Sequence, residues 1–295
     1  MRRHPVILGF CILLMIVVVF FALIYALSLA KGDSNLLAFG DKVGIVQIEG
    51  VITDSREVCE QIDKFSNDDR IRAVVLRIDS PGGGVAPSQE IFEGVLELRK
   101  KKRVVASMGS VAASGGYLIA TAAERIVANP GTITGSISAV MHFADIEQIL
   151  KRLGVRATVV KSGKFKDIGS PTREMTAEER KLIQGIVDDI YDQFVVTVSK
   201  NRKIPIEATK RLADGRIFSG RQALELKLVD DLGGLQDAVR VAAKLAGIEG
   251  KPETVYSEQN KSNLWKYLLE NVTSALWAQI RERTSDRHGA MYLTH

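Results

Sequence analysis

Histidine is scarce in this chain of 295 residues, which contains only four copies. His4 stands before a long apolar run, His288 and His295 lie in a polar tail, and His142 is left alone in Met141-His-Phe-Ala-Asp145. A solitary imidazole more often serves structure than catalysis, and nothing around His142 marks it as a triad member. Any hydrolytic serine in this sequence must therefore find its base elsewhere. Cysteine is scarcer still: Cys11 in an apolar run and Cys59 in a candidate helix supply neither a disulfide framework nor a metal cluster. No HExxH and no CxxC occurs, which argues against zinc. The phosphate loop GxxxxGK[ST] is missing and no complete GxGxxG is present, so nucleotide binding is not expected and no cofactor is called for.

Excess charge is also small. Forty Lys and Arg face 35 Asp and Glu, a net of +5. The cations are scattered except for Arg99-Lys-Lys-Lys-Arg103, which closes an expected helix and so complements its dipole. No nucleic-acid partner is expected. With 46% hydrophobic and 25% charged residues, the chain can bury a full core, as one large domain or two small ones. Internal repeats and low-complexity stretches are absent from the sequence.

What the sequence does have is a long uncharged run from Pro5 to Ala30. As a helix its 26 residues would reach about 39 Å, against a hydrocarbon core of about 30 Å. Arg2 and Arg3 precede the run and only Lys31 follows closely, so the positive-inside rule keeps the N-terminus cytoplasmic and sends the remainder across. Ser28-Leu-Ala30 looks like a signal-peptide cleavage site, but such signals carry an apolar core of only about 7–15 residues. A retained single-pass membrane anchor over 5–30 is therefore expected, after a cytoplasmic N-terminus at 1–4 and before a linker at 31–42.

Beyond the linker, strand-like and helix-like segments alternate. Val43-Gly-Ile-Val-Gln-Ile48 and Ala73-Val-Val-Leu-Arg-Ile78 are short β-branched runs around a polar, helix-like Asp54 to Phe65. Ile91 to Lys101 has helical spacing, Arg103-Val-Val-Ala-Ser107 reads as a strand, and a small-residue helix follows Ser114. Arg125-Ile-Val-Ala128 and Ala157-Thr-Val-Val160 read as strands flanking a helical Asp145 to Leu153. This βα order predicts an α/β domain with a mainly parallel sheet flanked by helices. Thr176-Ala-Glu-Glu179 has capping-box spacing and opens a helix reaching about Asn201. The domain is placed at 43–250. In the C-terminal region 251–295, Leu264, Leu268, Val272, Leu276 and Ile280 form an i, i+4 stripe, predicting a helix from about Asn263 to Arg283 before a polar tail.

The chemistry-bearing residues gather at strand ends. Arg77-Ile-Asp-Ser-Pro-Gly-Gly-Gly84 runs from a strand toward a helix, where it is either a plain turn or a loop of backbone N–H groups facing an anion. In Val111-Ala-Ala-Ser-Gly-Gly-Tyr117 a serine sits among tiny residues at a strand-helix junction. Ser107 and Ser110 are its rivals, but the first lies within the strand and the second lacks the following glycine pair. Without histidine, the base for such a serine is lysine. A free lysine titrates near 10.4, and forcing it neutral at pH 7 costs roughly 4–5 kcal/mol, which burial in an apolar cleft can supply. Lys161, Lys164 and Lys166 follow the expected strand at 157–160, and spacing alone does not choose among them.

Four strings in register, "SPGGGV", "SMGSVAASGGYLIA", "ANPGTITGSIS" and "KSGKFKDIGSPTREMT", resemble the bacterial signal peptide peptidase A family over about Val43 to Ala246. That family consists of membrane-anchored serine proteases of Clp-protease/crotonase-like fold. The resemblance implies that Ser114 is the nucleophile, Lys166 the general base and Ser136 the serine that orients it. It implies further that the backbone N–H groups of Gly83 and Gly115 form the oxyanion hole. Longer members fuse two copies of the domain, whereas this chain has one. It is similar to the short form, in which homo-oligomeric rings bring Ser114 of one subunit toward Lys166 of its neighbour. The expected substrates are hydrophobic peptides, above all remnant signal peptides, and the expected location is the cell membrane with the catalytic domain on its outer side. A crotonase-like acyl-CoA enzyme and a catalytically silent scaffold for membrane quality control are the alternatives.

Overall fold

The computed structural model describes residues 13–20 and 41–257. Residues 13–20 form helix α1 with exposed side chains. No helix among the described residues is long and apolar enough to cross a membrane. The rest of the expected anchor lies outside the described residues, as does the helix expected over 263–283.

The remaining elements follow from β1 (Lys42–Ile52) in the order α2 (Arg56–Asn67), β2 (Ile71–Gly83), α3 (Val85–Lys101), β3 (Arg103–Ala113) and α4 (Gly115–Ala120). Two short strands, β4 (Arg125–Ala128) and β5 (Ile133–Gly135), precede α5 (Glu147–Arg152) and the long α6 (Ala177–Arg202). Then come α7 (Ile206–Leu212), β6 (Ile217–Ser219), α8 (Gly220–Glu225), β7 (Asp231–Leu232), α9 (Leu235–Ala246) and β8 (Glu253–Tyr256). The sheet order is β6-β5-β3-β2-β1-β8, with β4 joining β3 to β7. Every pairing is parallel except β5 with β6. This mixed sheet with flanking helices fits a Clp-protease-like fold.

Alternation along the strands divides the core into two layers. Val43, Ile45, Ala73, Val75 and Val105 point to one face and pack against Ala238, Val239, Ala242 and Ala243 of α9. Val46, Ile48, Val74, Leu76 and Ile78 point to the other, where residues of α2, α3 and α4 cover them. A period of two on strands buried on both faces leaves almost no polar position, which is why these strands read as continuous apolar runs.

Three elements depart from the expected boundaries. β2 does not end at Ile78 but continues through Pro81-Gly-Gly83, pairing Ile52 with Gly83. The register against β3 slips by two residues between Ile78, opposite Met108, and Ser80, opposite Ala112, and there the Asp79 carboxylate accepts the Val111 N–H at 3.1 Å. α3 begins directly afterwards at Val85, six residues ahead of the expected Ile91, because Gly84 ends the strand and serves as its N-cap. The strand expected at Ala157–Val160 is not formed: those residues are exposed, unpaired coil. β-branched residues favour extended backbone, but a strand needs a partner edge, and Val160 is 97% exposed.

Candidate active site

Ser114 sits at the junction of β3 and α4 with φ 51° and ψ −120°. Positive φ is uncommon for a residue bearing a Cβ and costs on the order of 1–3 kcal/mol. A sharp strand-turn-helix of this kind is the geometry that lifts a serine hydroxyl clear of its own backbone. Two hydrogen bonds hold the turn: the Ser114 N–H donates to the Gly135 carbonyl at 2.9 Å, and the Ser114 carbonyl accepts from the Leu118 N–H at 2.9 Å. All of α4 is buried, so the turn rests on packed helix.

The end of β2 presses against this turn. Gly82 has φ +99°, and a Cβ there would lie 2.8 Å from the Gly115 nitrogen and 2.9 Å from the Ser114 Cβ. A Cβ on Gly115 would lie 2.3 Å from the Ser88 Oγ, and one on Gly83 would lie 2.2 Å from the Ile52 carbonyl oxygen. Glycine is therefore required by crowding at both contributing segments, and the "SPGGG" string is a strand end against a turn. As the first residues of α4, Gly115 and Gly116 have no carbonyl one turn back to accept their N–H groups.

Ser114, Gly83 and Gly115 line one cleft of about 480 Å³. Its walls come from Val85 and Phe92 of α3, Leu118 of α4, and Ile190, Phe194 and Val196 of α6. Gln89 of α3 donates to Gln193 of α6 at 3.1 Å, tying the two walls together. An apolar groove ending at Ser114 and the backbone of Gly83 and Gly115 has the shape and polarity to take an extended peptide with apolar side chains.

The other candidates are distributed unequally. Ser136 is half-buried with φ 52° and donates its N–H to the Arg216 carbonyl at 2.9 Å. It is adjacent to Gly135, whose carbonyl holds Ser114, but the residues of that segment that line the cleft are Ser138 and Ala139. The sequence reading passed over Ser138, although it lies in the same small-residue string. Ser107 is buried and accepts from Arg77 at 3.1 Å, and Ser110 is exposed on β3. His142 is exposed and lines a different cavity.

The three lysines are separated by their partners. Lys161 is paired with Asp167 and Lys164 with Glu178, and the Lys164 ammonium also lies 5.3 Å from the Phe165 ring centre. Lys166 is exposed and carries no ion pair among the described residues. Lys166 is thus the one of the three whose amine is not taken up by a carboxylate among the described residues. It is not among the residues lining the Ser114 cleft.

Residues 97–249 match the profile of peptidase family S49. A protein of Synechocystis sp. provisionally named a protease is 44% identical over 209 residues, which cover 70% of this chain and 76% of that one. An Enterococcus faecium protein provisionally named signal peptide peptidase SppA is 32% identical over 274 residues, 88% of this chain and 78% of its own length. Protease 4 of Salmonella typhi is 32% identical over 253 residues, 82% of this chain but 40% of that longer protein.

Proposed function

The chain belongs to peptidase family S49, and from that premise we propose that it is a serine endopeptidase with Ser114 as nucleophile and Lys166 as general base. The observation that carries the reading is the strained turn at Ser114, with φ 51°, opening on an apolar cleft beside the backbone of Gly83 and Gly115. The neutral lysine amine takes the Ser114 proton as Oγ attacks the scissile carbonyl carbon. The resulting oxyanion is stabilised by the N–H groups of Gly83 and Gly115 and by the N-terminal end of α4. The lysine ammonium then gives its proton to the leaving amine, and the same amine activates water to release the acyl-enzyme. Ser136 orients the lysine. A peptide filling the cleft displaces water, which favours a neutral amine.

Two features support a lysine delivered by a neighbouring copy of the chain. Lys166 does not line the cleft of its own Ser114. The span 140–186 that carries it also exposes Val140 (71%), Leu153 (72%) and Val160 (97%) together with Phe143, Ile149 and Ile186. An apolar surface of that extent is expected to be covered by a protein partner, and a homo-oligomeric ring would cover it and complete the site together. The acyl-CoA alternative has no support, since the matching profile is that of a peptidase.

The uncharged run 5–30 supports a retained membrane anchor that leaves the catalytic unit on the outer side. The apolar cleft and the name of the Enterococcus relative support hydrophobic peptides, including remnant signal peptides, as substrates. The test uses the full chain in detergent. A serine-reactive probe should label wild type and not Ser114→Ala, and each of Ser114→Ala and Lys166→Ala alone should fail to cleave an apolar peptide. Co-assembled from equal amounts, these two variants should regain about a quarter of wild-type activity, the fraction of shared sites receiving both intact residues. No recovery on co-assembly would sink the shared site, and cleavage by Lys166→Ala alone would sink the dyad.

A further inference from the structure

Next to Lys166 lies a network that the catalytic reading does not use. Arg173 donates from Nε to Asp167 Oδ2 at 2.9 Å, from Nη1 to Glu179 Oε2 at 2.9 Å and from Nη2 to Glu179 Oε1 at 2.5 Å. Its remaining donors reach the carbonyls of Glu174 (3.1 Å) and Asp167 (3.4 Å). A guanidinium has five N–H groups in a fixed fork, and here each has an acceptor. Glu179 is 3% exposed. It also accepts the Thr176 N–H at 2.9 Å within the capping box that opens α6. Asp167 takes a second ion pair from Lys161.

The consequence is mechanical. Residues 161–170 have no regular structure to hold them, yet the residue bonded to Lys166 is fastened through Arg173 to the first turn of a 26-residue helix. The same helix, 15 residues further on at Phe194, forms a wall of the Ser114 cleft. At 1.5 Å per residue that is about 22 Å along the axis. One rigid element thus sets both where the cleft is and where the lysine is presented.

We propose that Arg173 is a positioning residue for the proteolytic reaction, acting through Asp167 to fix the place at which Lys166 is offered to the nucleophile. The inference rests on the assignment of Lys166 as base. Lysine at 173 would not replace the fork, because an ammonium cannot hold a side-chain carboxylate on each side and two carbonyls in one plane.

The experiment measures kcat and KM of the full chain for an apolar peptide in wild type, Lys166→Ala, Arg173→Ala, Arg173→Lys and Asp167→Asn, with the thermal midpoint of each. Lys166→Ala should be inactive. Arg173→Ala should lose about 10²-fold in kcat, the scale of a misplaced catalytic group, with KM nearly unchanged because the cleft is intact. Arg173→Lys should recover little, and Asp167→Asn, which keeps the shape of the site, should lose kcat in the same direction should Arg173→Ala fail to fold. The acidic limb of the pH-rate profile, where the general base becomes protonated, should shift in the Arg173 and Asp167 variants, which a loss of general stability would not cause. Co-assembled with Ser114→Ala, the Arg173→Ala subunit should regain activity; with Lys166→Ala it should not, because its defect lies on the lysine side. An inactive Lys166→Ala beside wild-type kcat in folded Arg173→Ala and Asp167→Asn overturns the clamp alone. An active Lys166→Ala overturns the base assignment and the clamp with it.

Discussion

Strain at Ser114 and crowding at Gly82 belong to one arrangement. The serine holds φ 51° because the Gly135 carbonyl takes its N–H and the Leu118 N–H takes its carbonyl. Local strain of this kind persists where surrounding structure over-determines it, and it is common at reacting groups. Ser114→Gly should therefore abolish cleavage and raise stability by about 1 kcal/mol, after allowing for the freedom glycine gains in the unfolded chain. Ser114→Ala should be equally inactive without that gain. Denaturant midpoints of the two variants decide it, and equal midpoints would show that the turn is unstrained. This residue was legible in the sequence because tiny neighbours and a following glycine pair are a local signal. Ser138 and Arg173 were not, since a lining serine and a four-residue ion network carry no spacing of their own. The choice among Lys161, Lys164 and Lys166 was closed to spacing for the same reason: the carboxylates that occupy the first two come from Asp167 and Glu178.

At the scale of elements, local chemistry was read well and long-range pairing poorly. The capping box Thr176-Ala-Glu-Glu179 opens α6 as expected, with the Glu179 N–H donating to Thr176 Oγ1 at 3.2 Å, because a cap is decided within one turn. The extension of β2 through Pro81 depended on a partner in β1, where Val51 meets Gly82 and Ile52 meets Gly83, and β8 exists only by pairing with the edge of β1. The reverse error at 157–160 has the same cause, extended propensity without an edge. The join between α6 and the lysine segment should also respond to acid. Arg173 and the Thr176 N–H hold the Glu179 carboxyl down to about 2 from 4.5, and Arg173 with Lys161 holds Asp167 well below the usual carboxylate range. Both values are lowered on folding, so the stabilisation is complete above about pH 4.5 and is lost as pH falls toward about 2. Pepsin nicking between residues 161 and 176 should rise over that window in wild type. In Arg173→Ala it should be high throughout, and a wild-type rate independent of pH would contradict the coupling.

For the whole molecule, the described surface carries two unmatched features. One is a cleft lined by Ser114 and by no lysine, and the other is the apolar span that carries Lys166. Covering the second with a copy of the first would satisfy both, and the cost of leaving Val140, Leu153 and Val160 in water gives the contact a driving force of roughly 25 cal/mol for each Å² buried. A carboxylate placed at Val160, which is 97% exposed, meets no cost in the single chain but would have to be desolvated in such a contact. Val160→Asp should therefore leave the thermal midpoint of the catalytic unit within about 0.5 kcal/mol of wild type in stability, as surface changes do, while shifting the detergent-corrected mass from oligomer to monomer. Activity should fall with the oligomer and return partly at high protein concentration, because mass action restores the contact. A monomeric Val160→Asp that cleaves at the wild-type rate would mean that each chain carries a complete site, and Lys166 would then have to reach its own Ser114 by a movement of the 161–170 segment.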